Sequence, residues 1–162
     1  MSEGPPMAQA TDEHRWLQQL VGTWKFSGEC KTPEGTSTQE GTQTIRTFGD
    51  LWILLEAETK MEAEPMTSII TLGFDPHKGK FVGSFIATMM TSFWVYEGTL
   101  DAAKRVLPLR SEGPRFDGKP GAGQYEDVIE VVSKDEYLFR GRLLQDDGTW
   151  LEFMKTRYTR TS

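Results

Sequence analysis

Two histidines, one cysteine and a scattering of carboxylates are the groups in this chain with the chemistry for acid–base, nucleophilic or metal-binding work. His77 sits in Asp75-Pro76-His77-Lys78-Gly79, where Pro fixes φ and Gly is free to take φ > 0, so the run predicts a turn. His14 falls in a predicted N-terminal helix. Neither has a Ser, a Cys or a further metal ligand at motif spacing, and the chain holds no Gly-x-Ser-x-Gly, HExxH, CxxC or phosphate-binding loop. The residues therefore predict no catalytic residue, no metal ligand and no cofactor. Cys30 has no partner for an internal disulfide and reads as a small buried hydrophobe.

Non-covalent chemistry has better candidates. Met66, Phe85, Met89, Met90, Phe93, Trp94, Tyr96 and Met154 concentrate in the central and last segments. Flexible thioethers and aromatic rings make an adaptable apolar wall, although an ordinary barrel core has the same composition. Glu97 lies among them and, by alternation, shares a face with Phe93 and Val95. If that face is inward, Glu97 is a buried carboxylate that needs a donor, with Arg140, Arg142 or Arg46 as the partner. Tyr125, Asp127, Arg140 and Arg142 form a second polar set, and a structural ion pair reads the same way. The expected ligand site is Phe85, Met89, Trp94, Tyr96, Glu97, Arg140 and Met154.

The elements that must position these residues are strands. Met66 to Phe74, Lys80 to Met89 and Ser92 to Leu100 read as an antiparallel meander, which must bury one face. Thr11 is placed to cap a short helix, with Asp12 and Glu13 in its first turn. Trp16, Leu17 and Leu20 share a face, and Gly22 ends the helix. Trp24, Phe26, Gly28 and Cys30 alternate with polar residues in a first strand. Thr36 to Thr47 is Thr-dense and extended, with few apolar side chains. Leu51 to Met61 is read as strand against its helix-favouring composition. Pro108 marks Arg105 to Arg110 as an edge strand or bulge. Ser111 to Gly123, with four Gly and two Pro, is expected to be the longest loop. Tyr125, Asp127, Ile129 and Val131 share one strand face, Glu136 to Leu144 follows, and Asp146-Asp147-Gly148 turns into a last strand, Thr149 to Arg160. About ten strands with hairpin-length links predict an up-and-down barrel.

Composition sets the limits. The 162 residues suit one domain, expected over 11–162 behind a disordered tail, 1–10. The net charge of −6 argues against a nucleic acid partner, which needs a basic face. There is no Lys/Arg run for an anionic membrane surface and no apolar run of membrane-spanning length. The first ten residues lack the basic and apolar regions of a secretory signal. A cytoplasmic location is the expectation.

Two stretches carry a likeness. His14 to Trp24, a helix leading into Gly22-Thr23-Trp24, resembles the opening of calycin barrels, the lipocalin-like group, in which this Trp packs across the closed end. Thr71 to Pro76, Lys80 to Gly83, Met89-Met90-Thr91 and Tyr96-Glu97-Gly98, with Glu112-Gly113-Pro114, Tyr125 and Gly148, resemble the bacterial DUF1579 family. The likeness runs from about His14 to Arg160. It implies a lipocalin-like (calycin) antiparallel barrel of about eight to ten strands with a short N-terminal helix, and no established catalytic residues. The family pattern often has Asp where this chain has Ala87. Some related barrels carry haem on a histidine near the C-terminus, and this chain has none after His77.

The leading expectation is binding of a small, mostly apolar ligand, with Glu97 as polar anchor. The rival is an interaction module, a solid barrel that pairs with itself or with a partner through an edge strand. An enzymatic reading would rest on a barrel carboxylate, with Glu97 the candidate.

Overall fold

The computed structural model describes residues 6–162; part of the expected tail, residues 1–5, lies outside them, and residues 6–10 take no regular secondary structure. One helix and ten strands follow: α1 (Asp12–Gln18), β1 (Gly22–Thr32), β2 (Gly35–Phe48), β3 (Trp52–Thr59), β4 (Met66–Asp75), β5 (Lys80–Ala87), β6 (Trp94–Gly98), β7 (Val106–Pro114), β8 (Ala122–Ser133), β9 (Glu136–Leu144) and β10 (Trp150–Arg160). Each strand pairs antiparallel with its sequence neighbour, and β1 pairs with β10 to close the cylinder. Closure gives every strand two neighbours, which removes the full-length edge that strand-to-strand association uses.

Alternation selects the inward faces. On β3, Ile53, Leu55, Ala57 and Thr59 are buried, while Trp52, Glu56 and Glu58 are exposed. The helix-favouring composition of β3 is overruled because ladders on both sides satisfy its backbone. On the Thr-rich β2, Gln43 and Ile45 are buried and the first half is mostly exposed.

Three expectations are corrected. The helix ends at Gln18 with Gln19 as its cap, and Gly22 instead opens β1 at φ +147°. Arg105 to Arg110 is no edge. β7 pairs along its length with β8, and β6 meets it only at Glu97–Arg110 and Gly98–Leu109. Pro108 lies past that short seam, where no ladder donor is asked of it. The long loop shrinks to 115–121, because β7 runs on through Gly113-Pro114 and β8 starts at Ala122. Gly113 is required there, since a Cβ would meet the Trp94 ring at 2.2 Å.

The core is densest at the helix end, where Leu17, Leu20, Trp24, Ile53, Leu72 and Phe81 are almost fully buried. A smaller cluster of Trp94, Tyr125 and Leu143, backed by Phe85, Met90 and Phe153, fills the other end.

Candidate functional site

The helix end is a closed wall. Thr11 caps α1 through a capping box in which the His14 side chain takes the place usually held by Glu or Gln. His14 Nδ1 accepts the Thr11 N–H at 2.9 Å, which leaves Nε2–H to donate to the Phe74 carbonyl at 2.9 Å. The histidine thus fastens the helix to β4 and is occupied on both nitrogens. Trp24 Nε1–H donates to the Leu20 carbonyl at 2.9 Å, and its ring meets Tyr137 edge-on at 4.9 Å. The Arg160 guanidinium lies 4.3 Å over that ring while donating to the Val21 and Gln19 carbonyls. Every polar group in this wall has a partner, so it is built for closure.

The middle of the barrel differs. Asp127 of β8 points inward between Tyr125 and Ile129, and its Oδ2 accepts a hydrogen bond from the Tyr96 hydroxyl of β6. No other protein donor among the described residues bonds to it. Burial pushes its carboxyl up to about 6, against the lowering effect of the Tyr96 bond. Burial, joined by the Asp127 charge, raises the Tyr96 and Tyr158 phenols above their usual range. Ser111 of β7 is 6 % exposed, and its Oγ has no hydrogen-bond partner among the described residues. It pairs with Tyr125 while Leu109 pairs with Asp127, so Ser111 is the diagonal neighbour of Asp127, about 7 Å away between Cβ atoms. Nearer the wall, Tyr137 donates to Gln43 and stacks on Tyr158 at 4.4 Å.

One inward row runs from Asp127 through Gly141 and Met154 to Cys30. Asp127, Met154 and Cys30 are only half-buried although they face inward, as are Phe139 and Gly28 beside them. Asp127 thus keeps some accessible surface although it faces inward.

Of the expected site residues, Phe85, Trp94, Tyr96 and Met154 face inward. Phe85 is half-buried, Trp94 and Tyr96 are buried, and Trp94 Nε1–H donates to Met90 Sδ at 3.2 Å. Met89 lies past the end of β5 and is 60 % exposed. Glu97 points outward, 3.7 Å from Lys78, with half its side chain in water. Arg140 reaches Glu130 and Glu152 outside the barrel, and Arg142 and Arg46 likewise pair outside with Glu126 and Glu56. Neighbours on a strand point to opposite faces, so Tyr96 and Glu97 cannot both enter. Sequence reasoning put Asp127 on the right face but gave it the wrong partners; Ser111 was missed, since a lone serine carries no signal.

Outside the barrel, an open groove of about 480 Å³ lies along β1, β2 and β10, with Lys25, Lys60 and Arg157 among its lining residues. Another of about 610 Å³ runs beside α1, with Trp16, Phe81 and Leu100 in its lining. Groups of three or more metal-binding side chains are absent among the described residues, and no helix there is long and apolar enough to cross a membrane.

Fold and interior define a closed, ten-stranded, up-and-down barrel of lipocalin-like form with a polar layer between two apolar ends. The chain belongs to the DUF1579 family, proteins of unknown function, whose pattern matches residues 9–160. No curated protein matches it. Among solved structures it is similar to Rv2717c from M. tuberculosis, at 14 % identity and a TM-score of 0.67 over 95 % of this chain and 100 % of that one. It is also similar to a redesigned beta barrel, b11L5F_LGL, at 11 % identity and a TM-score of 0.50 over 91 % and 96 %. At these identities the likeness is one of fold.

Proposed function

We propose that the protein binds a small, mostly apolar molecule inside the barrel, with Asp127 and Tyr96 as the polar anchor and Phe85, Trp94 and Met154 on the walls. The observation that carries this reading is the Asp127 carboxylate, aimed inward with a single protein partner and accessible surface beside it. A few polar groups in an apolar enclosure are the usual form of a small-molecule site. The anchor moves from Glu97 to Asp127 because Glu97 faces water.

Native mass spectrometry on protein as purified, compared with the same protein after unfolding and refolding, tests it. A reproducible small adduct lost on unfolding is the expected result. A clean apo mass, joined to unchanged Trp fluorescence on titration with short-chain alcohols, amines and carboxylates, would count against an interior site.

A self-association reading has one observation in its favour. Ile86, Val95 and Phe93, on or next to the outer faces of β5 and β6, are 45 %, 60 % and 65 % exposed, an unusual run of apolar surface. The closed cylinder has no full-length edge to pair, so this contact would be face to face. Light scattering across a wide concentration range tests it, and a constant monomer mass would reject it.

A further inference from the structure

Among the described residues, the strand lysines and arginines point outward, except Arg160, which is spent on the closed end. Arg160 lies six residues along β10 from Met154, which shares the Asp127 row, and so roughly 20 Å away at strand spacing. Among the described residues Asp127 is therefore the one charged strand side chain facing the interior between the two ends, while Arg115 of the 115–121 loop, 11 % exposed at the far end beside Tyr125 and Leu143, is paired with Asp117 and Asp146. Ionised groups inside proteins are ordinarily paired or multiply hydrogen-bonded. Here the surroundings are neutral: the Tyr96 hydroxyl on one oxygen, the Tyr125 and Tyr158 rings, and the orphan Ser111 hydroxyl. An anionic ligand would meet this carboxylate, and the cation at the far end, Arg115, is already paired with Asp117 and Asp146. A purely apolar ligand would leave Asp127 unanswered.

Resting on the interior-binding reading above, we infer that the ligand is a cationic amphiphile, carrying a protonated amine or similar N–H cation that pairs with the Asp127 carboxylate. The apolar remainder lies along Phe85, Phe139 and Met154. The charge pair is formed in a low-dielectric space, where such attraction is worth much more than in water. The aromatic faces around it favour a cation as well.

The test is isothermal titration of the full chain at neutral pH and low salt with three probes of one chain length: octylammonium, octanol and octanoate. Octylammonium is expected to bind at least ten-fold more tightly than octanol, and octanoate more weakly than either. Asp127→Asn, isosteric and free of the buried charge, should cost octylammonium ten-fold or more. Ser111→Ala, at a hydroxyl with no accessible surface, should leave octylammonium within two-fold. Octanol equal to octylammonium, or octanoate the tightest, would overturn the inference while leaving interior binding in place. No binding of any probe would remove both. The unmutated series decides the charge preference by itself, so the result does not hang on whether either variant folds.

Discussion

The helix end of the barrel and its middle bury tyrosines and polar atoms to a similar depth, yet they treat them in opposite ways. At the helix end, Trp24, His14 and Arg160 each find partners for their nitrogens, and among the described residues no buried side-chain nitrogen or oxygen of the wall is left without one. In the middle, among the described residues, Asp127 has one donor and Ser111 has none. Buried polar groups left short of partners cost free energy, so the middle is less stable than a fully apolar filling would be. The first region serves the fold, and the second is kept at the fold's expense.

The sharpest way to break this contrast is at the wall. Trp24→Ala removes a ring that touches Tyr137 and Arg160, and should destabilise by about 3–5 kcal/mol in urea or guanidinium unfolding. A much smaller loss would mean that the wall is not what holds the barrel shut.

The middle should respond with the opposite sign. The folded Asp127 carboxyl sits at about 6 against an ordinary value of 3.8. A raised carboxyl leaves its contribution intact below about pH 4 and loses it as pH rises through about 6. Two units correspond to roughly 2–3 kcal/mol. Asp127→Asn should therefore match the unmutated protein near pH 3.5 and exceed it in stability by about that amount at pH 7.5. Equal stabilities at both pH values would show that Asp127 is well solvated.

The aromatic end supplies a smaller effect. Gly113→Ala drives a Cβ into the Trp94 ring and should cost about 1–3 kcal/mol, visible also as a change in Trp fluorescence. The smallest expected effect returns to the helix. Thr11→Ala removes the cap and should cost about 1 kcal/mol, with the barrel core unchanged in near-ultraviolet circular dichroism.

How far the sequence reached depends on where its alternation had contrast. β3 sets apolar against charged residues, and the face of Tyr125, Asp127, Ile129 and Val131 is similarly marked, so their directions could be read. On β6, Trp94 and Tyr96 compete with Phe93 and Val95, both sets apolar. A period of two then fixes the spacing but not its phase, and Glu97 was assigned to the interior on a coin's edge. On β9, Tyr137 and Phe139 face inward while Leu138 keeps company with Arg140 and Arg142 outside, and the same ambiguity misplaced the arginines. The Gly/Pro-rich stretch after Ser111 looked like loop because the sequence cannot show Trp94 pressing on Gly113. Ser111 became visible only through its lack of a partner, which is a property of neighbours and not of a residue.

The seam between β6 and β7, joined only at Glu97–Arg110 and Gly98–Leu109, has a consequence for how the molecule breathes. Long ladders open by cooperative loss of many bonds, whereas a short one can part by itself. Tyr96 lies one residue before this latch, and Ser111 one residue after it. Those amide protons of Trp94–Gly98 that face β7 should therefore exchange with solvent well before those of β1 or β8, while the ladder to β5 holds the rest. Each such excursion would wet the Asp127 layer while the helix end stays dry, so the cylinder behaves as a curled ribbon whose clasp lies beside its most polar link.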